Sequence, residues 1–148
     1  MTNMPSQILQ PTGFHANLSP DLFRNYSRQY MDCYHAYRPM SGYSPVPYFL
    51  LCRAMELALK AHHLENKSRM TVKKDYSHNL SKLYSDLPSD LKFLDADQEK
   101  LLRVASDKYD VPNKGFEYVS TEDVLTGHAS FPNLEALAAL ANRLVENK

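Results

Sequence analysis

"PYFLLCRAMELALKAHHLENK", residues 47–67, is the stretch that decides the fold. Its leucines, alanines and methionine recur over most of a helix circumference, which is typical of a helix at the centre of a bundle. Five polar residues of this stretch lie along one side: Arg53, Glu56, Lys60, His63 and Lys67. At 100° per residue these five share an arc of roughly 80°. We therefore predict a buried central helix with one polar seam along it.

Two interpretations of the seam remain open. Helical spacings of three and four allow an Arg53–Glu56 pair and a Glu56–Lys60 pair, each contributing about 0.2–0.5 kcal/mol on an exposed helix. The seam is then either a solvated stripe or a set of groups satisfied by neighbouring helices. Alternatively, it binds a ligand or a partner. His78 either holds the chain by donating to a backbone carbonyl or to Glu56, or it takes part in chemistry.

A first helix is indicated by Ser19 as N-cap and Pro20 in the first turn, and we expect it to end at about Arg38, before Pro39. Its aromatic residues fall on one helical face and predict a buried aromatic stripe. They are Phe23, Tyr26, Tyr30, Tyr34 and Tyr37. The second helix is expected over about 45–67.

Later helices are expected over about 77–87, with Ser77 as N-cap, then from Asp95 or Asp97 to about Tyr109, and from near Pro132 onwards. The segment "TEDVL" predicts one further turn of helix. Residues 1–18 are expected to form an irregular arm and residues 19–148 a single helical domain. No stretch has a convincing strand pattern. The sequence therefore predicts an all-α, up-and-down bundle of about five helices.

The charge distribution is neutral overall and uneven locally. Lys and Arg number 17, as do Asp and Glu, so no strong overall attraction to nucleic acid or anionic membrane is expected. Residues 60–75 nevertheless carry five bases and two acids, and residues 86–110 carry seven acids and four bases. The basic segment "NKSRMTVKKDYS" is expected to be a loop or a frayed turn, either solvated or in contact with an RNA or nucleotide phosphate.

Several classes of protein have no support in the residues. There is no phosphate-binding glycine loop, Cys-x-x-Cys pair or Gly-x-Ser-x-Gly elbow. Adjacent His62 and His63 point about 100° apart on a helix, so we expect no metal site, and no cofactor. Cys33 and Cys52 lie in apolar helical contexts that favour reduced thiols. With no signal-like start and no membrane-length apolar run, we expect a cytoplasmic protein without membrane contact.

The residues of the second helix and of "YSHNLSKLY" are similar to the "A-x-E-L-x-L-K-A … G-H-D-L-x-x-L" pattern of HEPN domains. The similarity covers about residues 45–87, and loosely "GFEY" and the last helix. Two positions depart from the pattern: Ser77 stands for the usual Gly and Asn79 for the usual Asp. The matching residues are Ala54, Glu56, Leu57, Leu59, Lys60, Ala61, His78, Leu80 and Leu83.

HEPN domains are small all-α bundles in prokaryotic nucleotidyltransferase-linked, toxin–antitoxin and abortive-infection proteins. The resemblance implies a two-fold homodimer and, in active members, metal-independent RNA cleavage by an Arg followed after four to six residues by a His. Arg28 and His35 have that spacing but lie on the first helix. Lys73 and His78 have it with Lys in place of Arg.

The resemblance and the residues together favour a non-catalytic binding module for RNA, a nucleotide or a partner protein such as a nucleotidyltransferase or antitoxin. The alternative is a ribonuclease with an atypical basic-residue and histidine pair. The candidate catalytic residues are His78, Lys73, Arg28 and His35. The candidate ligand-binding residues are Arg53, Glu56, Lys60, Lys73, Lys74, His78 and Asn79.

Overall fold

The computed structural model describes residues 19–39, 43–110, 115–116, 121–126 and 129–146. They form seven α-helices and one short 3₁₀ turn, Ser89–Leu91, and none of these residues is in a strand. The helices are α1 (Ser19–Ala36), α2 (Val46–Leu64), α3 (Arg69–Tyr76), α4 (Leu80–Ser85), α5 (Ala96–Tyr109), α6 (Thr121–Leu125) and α7 (Leu134–Glu146). The protein is an all-α helical bundle, as predicted. The predicted N-terminal arm, residues 1–18, lies outside the described residues.

Helix α2 is the centre of the bundle and packs against α1, α3, α4, α5 and α7. Its wide apolar arc leaves almost no face for solvent, and Leu51, Ala54 and Met55 are completely buried. Pro45 and Pro47 lie at its start, where a missing backbone N–H costs nothing. The predicted central helix is thus confirmed, and it ends at Leu64 rather than at Lys67.

Helix α1 contacts α2 through a narrower line than the aromatic stripe that the sequence predicts. The buried residues of α1 are Pro20, Ser27 and Met31. Ser27 Oγ donates a hydrogen bond of 2.7 Å to the Ala54 carbonyl of α2. The small serine lets the two backbones approach closely, and the large rings lie to the side of this line, with Tyr26 46% exposed. The predicted aromatic stripe is therefore only half-buried: Phe23, Tyr30 and Tyr34 pack against the edge of the core, and full burial of the stripe is wrong.

Helix α3 occupies the basic segment for which the sequence predicts a loop or a frayed turn. Ser68 is its N-cap and accepts from the backbone N–H of Thr71 at 3.1 Å. Val72 and Tyr76, four residues apart, are both buried and anchor this short helix against the core. The segment is therefore an eight-residue helix and neither a loop nor a frayed turn, because these two contacts and the cap hold one helical face.

A tight turn links α3 to α4. The N–H of Asn79 donates to the carbonyl of Tyr76 at 2.8 Å. Ser77, the first central residue of this turn, has φ 47° and ψ −115°, close to the type II′ geometry that favours glycine. Ser77 is therefore not the predicted N-cap. Asn79 is the N-cap of α4, and its side chain accepts from Lys82 N at 3.0 Å.

Side-chain caps also mark the starts of α5 and α7. Asp95 accepts from Gln98 N at 2.8 Å, and the Gln98 side chain accepts from Asp95 N at 3.3 Å, a reciprocal capping box. Of the two predicted caps for this helix, Asp95 is therefore the one used. At α7, Asn133 Oδ1 accepts from Ala136 N at 2.9 Å, one residue after the predicted start at Pro132.

Candidate functional site

Glu56, on the middle of α2, is a completely buried carboxylate with four partners. Its Oε1 accepts from Lys60 Nζ at 2.9 Å and lies 2.6 Å from His78 Nδ1. Its Oε2 accepts from Arg53 Nη1 and from the hydroxyl of Tyr109, each at 2.7 Å. We call these five residues the Glu56 network. It joins α2 to α5 and to the turn between α3 and α4, and it uses both carboxylate oxygens fully.

The partners keep Glu56 ionised despite its burial. Burial alone would raise the pKa of its carboxyl, but the charge of Lys60, the Tyr109 hydrogen bond and the charge of Arg53 together hold that pKa below its ordinary value. Burial and the adjacent carboxylate raise the pKa of Tyr109 far above its usual range. Tyr109 therefore acts only as a hydrogen-bond donor here. The seam at this end of α2 is a buried, charge-paired network, and the solvated-stripe interpretation is wrong for Glu56.

His78 is the member of the network that reaches the surface, since its side chain is 44% exposed. Because an ionised carboxylate can only accept, the contact with Glu56 assigns the proton to Nδ1. In the neutral imidazole, Nε2 is then free of a proton and able to accept one. The Tyr109 ring lies edge-on to the imidazole at 5.8 Å and restricts its orientation. Of the two structural partners that the sequence leaves open for His78, a backbone carbonyl or Glu56, Glu56 is the one that it contacts.

A cleft of about 600 Å³ opens beside this network between α1, α2 and α3. Its walls include apolar side chains such as Phe23, Leu57 and Met70. None of the described residues that line it is an Asp or a Glu. Its basic groups and histidine are Arg53, Lys60, Arg69, Lys73 and His78. We call it the cationic cleft.

The cleft brings together four of the seven residues expected to bind a ligand: Arg53, Lys60, Lys73 and His78. Glu56 lies beneath it, in contact with three of them. Two others are not among the lining residues. Lys74 is exposed on α3, and Asn79 is occupied as the cap of α4, where its Oδ1 also accepts from Ser106 Oγ at 3.4 Å.

The other candidate catalytic pair lies elsewhere. Arg28 and His35 are both exposed on α1, and neither lines the cationic cleft. His35 instead borders a second groove, of about 470 Å³, with Tyr34 and Tyr48. The structure therefore brings Lys73 and His78 to one cleft but does not place Arg28 or His35 there.

Sequence reasoning missed Arg69 and Phe23 as part of this site. The Arg69 guanidinium lies over the Phe23 ring at 5.9 Å, which joins α3 to α1 across the cleft. This contact could not be predicted, because the sequence favours a loop or a frayed turn over residues 69–76. The available signal was Ser68 as a helix cap followed by apolar residues at 72 and 76.

The far end of the α2 seam has a structural role. Nε2 of His63 donates to the carbonyl of Leu83 at 2.8 Å and so ties α2 to α4. Burial lowers the pKa of His63, although this hydrogen bond opposes the shift, and the ring lies 4.5 Å from that of Tyr76. Lys67 donates to the Tyr76 hydroxyl at 2.8 Å. His63 and Lys67 thus hold α3 and α4 in place, and neither residue lines the cationic cleft.

Within the described part of the chain, no group of three or more His, Cys, Asp or Glu side chains is arranged to hold a metal ion. Cys33 is exposed and Cys52 is buried, and both are free thiols. A separate finding concerns membranes: among the described helices, none combines the length and the apolar character needed to cross a bilayer. Comparison with protein-family models, with curated proteins and with solved structures finds no match to this chain.

Proposed function

We propose that this protein is a HEPN-like helical binding module whose cationic cleft takes a phosphate group of RNA or of a nucleotide. The observation that carries the proposal is the convergence of Arg53, Lys60, Arg69 and Lys73 on one cleft with no facing carboxylate. Glu56 offsets only part of this charge, since four cations meet one buried anion. A surplus of positive charge in a partly desolvated cleft favours a multiply charged anion.

The two arginines and two lysines offer complementary kinds of contact. Arg53 is held by Glu56 through Nη1, which restricts the orientation of its planar guanidinium for a forked contact with phosphate oxygens. Lys73 belongs to α3 and is exposed, so it supplies a mobile point charge at the rim. The apolar wall from Phe23 and Leu57 lowers the local dielectric and strengthens both contacts.

Two further observations support the HEPN-like part of the proposal. The two halves of the sequence pattern meet in space, since Glu56 of the first half touches His78 of the second at 2.6 Å. The pattern's glycine falls on Ser77, whose φ is 47°, and a backbone in that region favours glycine. In this proposal the module acts as a homodimer, beside a partner such as a nucleotidyltransferase or an antitoxin in a prokaryotic toxin–antitoxin or defence setting.

Lys73 and Lys74 provide a matched pair of variants for the test. Both are exposed neighbours on α3, and only Lys73 lines the cleft. Fluorescence anisotropy with end-labelled single-stranded RNA should show affinity that falls steeply with salt. Lys73→Ala should weaken binding several-fold, and Lys74→Ala should weaken it much less. Equal effects of the two substitutions, or binding insensitive to salt, would contradict a phosphate site in the cleft.

A ribonuclease is the second candidate function, and the position of His78 favours it. Glu56 accepts from Nδ1, so the tautomer that this contact selects presents an unprotonated Nε2 in a cleft that also contains Lys73 and Arg53. In this mechanism Nε2 takes the proton of a ribose 2′-hydroxyl, and the 2′-oxygen attacks the adjacent phosphorus. The bond to the 5′-oxygen breaks and that oxygen takes a proton from solvent water, which leaves a 2′,3′-cyclic phosphate and a 5′-hydroxyl. The two cations stabilise the charge that develops on the phosphate oxygens.

The ribonuclease candidate is tested with purified protein and labelled RNA in the presence of a metal chelator. Cyclic-phosphate products that disappear in His78→Ala and persist in His35→Ala would support it, because His35 is exposed on α1 outside the cleft. RNA that binds but stays intact would leave the binding module as the function. Cleavage that survives His78→Ala would reject His78 as the base.

A further inference from the structure

A further groove, of about 590 Å³ and distinct from the one beside His35, continues from the cationic cleft along α1. The two share one wall, formed by Phe23, Arg53, Leu57 and Arg69. Beyond this wall the further groove is lined by Tyr26, Gln29, Tyr30 and Cys33. We call it the α1 groove. None of its described lining residues is an Asp or a Glu, so neither groove presents a carboxylate along this surface.

Aromatic rings and cations alternate where the two grooves meet. The Arg53 guanidinium lies 5.9 Å from the centroid of the Tyr30 ring, and Arg69 lies at the same distance from Phe23. Tyr26, 46% exposed, adds a third ring one helical turn from Phe23 and Tyr30. One exposed and two half-buried rings that line a groove beside cations suit a ligand with flat unsaturated groups joined by negative charges.

We infer that the α1 groove is a base-binding subsite and that the ligand is a single-stranded nucleic acid whose backbone phosphate lies in the cationic cleft. This inference rests on the proposed function and specifies its ligand. Bases of a single strand expose their faces and can stack on Phe23, Tyr26 or Tyr30, while bases within a duplex stack on each other. Arg53 and Arg69 lie on the shared wall, where they contact the backbone between the two subsites.

An abasic strand separates this inference from the proposed function, because it keeps the phosphates and lacks the bases. Anisotropy should show that a base-bearing single strand binds roughly ten-fold more tightly than the abasic strand, as expected for at least one stacked base. It should also bind more tightly than a duplex of the same sequence. Equal, salt-dependent affinity for base-bearing and abasic strands would overturn the base subsite and leave the phosphate site standing. Absence of binding by every strand would reject the proposed function itself.

Cys33 gives a second readout that needs no substitution. It is exposed in the α1 groove, and Cys52 is completely buried, so a maleimide should react with Cys33 first. The base-bearing strand should slow this reaction more than the abasic strand at equal occupancy. If both strands slowed the Cys33 reaction equally, or if neither slowed it, the bases would have to bind outside the α1 groove.

Tyr26→Leu and Tyr43→Leu form the matched pair of variants. Tyr26 is half exposed in the α1 groove, and Tyr43, 75% exposed, borders the other groove near the start of α2. Tyr26→Leu should reduce the preference for the base-bearing strand several-fold, and Tyr43→Leu should preserve it. A preference unchanged by Tyr26→Leu, with no slowing of the Cys33 reaction, would overturn the inference.

Discussion

Replacing Glu56 with glutamine is the most direct perturbation of the site. The substitution keeps the size of the side chain and removes its charge. Lys60, only 9% exposed, would then retain a positive charge with no counterion at 2.9 Å. One oxygen of the carboxylate would become an amide nitrogen, which cannot accept the hydrogen bonds that either oxygen receives now. The Glu56 network would lose charge balance and geometry together.

The size of the expected loss of stability depends on how exposed to solvent each partner of Glu56 is. Removing one member of a buried ion pair costs about 3–5 kcal/mol. The side chains of Arg53 and His78 are 32% and 44% exposed, so solvent screens their share of the loss. Lys60 and Tyr109 remain buried and carry most of it. We therefore expect Glu56→Gln to lower the free energy of unfolding by about 3 kcal/mol, and the midpoint temperature by roughly 10 °C.

Chemical denaturation followed by far-ultraviolet circular dichroism measures this loss, and the chain contains no Trp that could serve as a fluorescent probe. Glu65→Gln is the matched control, since Glu65 follows the same helix and pairs with Arg24 at 2.7 Å while about half exposed. Glu65→Gln should lower the free energy of unfolding by less than about 1 kcal/mol. A Glu56→Gln protein within about 0.5 kcal/mol of the parent would refute the buried, ionised network.

Three further predictions concern the turn, the histidines and the oligomeric state. Ser77→Gly should stabilise the protein by about 0.5–1 kcal/mol in the same denaturation assay, because glycine adopts φ 47° without strain. Ser77→Ala should give no such gain, and equal gains would contradict strain at this residue. Burial lowers the pKa of His63 below 6.5; the unfolded chain therefore takes up the proton first, and stability should fall as pH drops through about 6.5. His62 contributes with the same sign, so His63→Gln should reduce this pH slope without abolishing it, and an unchanged slope would contradict the assignment. The homodimer stays a prediction; sedimentation at micromolar concentration should give twice 17.0 kDa, and a clean monomer would refute it.

The central helix and its ion pairs could be predicted because their signals are local. The wide apolar arc of α2 is visible in about twenty residues of sequence, and spacings of three and four bring Arg53 and Lys60 to Glu56. The burial of Glu56 could not be predicted in the same way. It depends on Tyr109, which is 53 residues away in the chain, and local periodicity carries no information about such a contact.

The errors on α1 and α3 have different physical causes. On α1 the aromatic spacing was real, but close packing against α2 favours the small Ser27 and the flexible Met31 over rings. On α3 the sequence is dominated by basic residues, and only Val72 and Tyr76 face the core. Two buried residues are too weak a pattern to outweigh the polar composition. The cleft between α1 and α3 was missed for that reason.

Helices α2 and α3 differ so much in burial that their amide hydrogens should exchange with solvent by different routes. The backbone of α2 is enclosed by five other helices, so its amides exchange only when the whole bundle opens. Helix α3 is held mainly by Val72 and Tyr76 at the edge of the bundle, and a local opening is enough to expose its amides. Each such opening also carries Arg69 and Lys73 away from the cleft. An anion held by those two side chains should therefore slow amide exchange in α3 while leaving that of α2 unchanged.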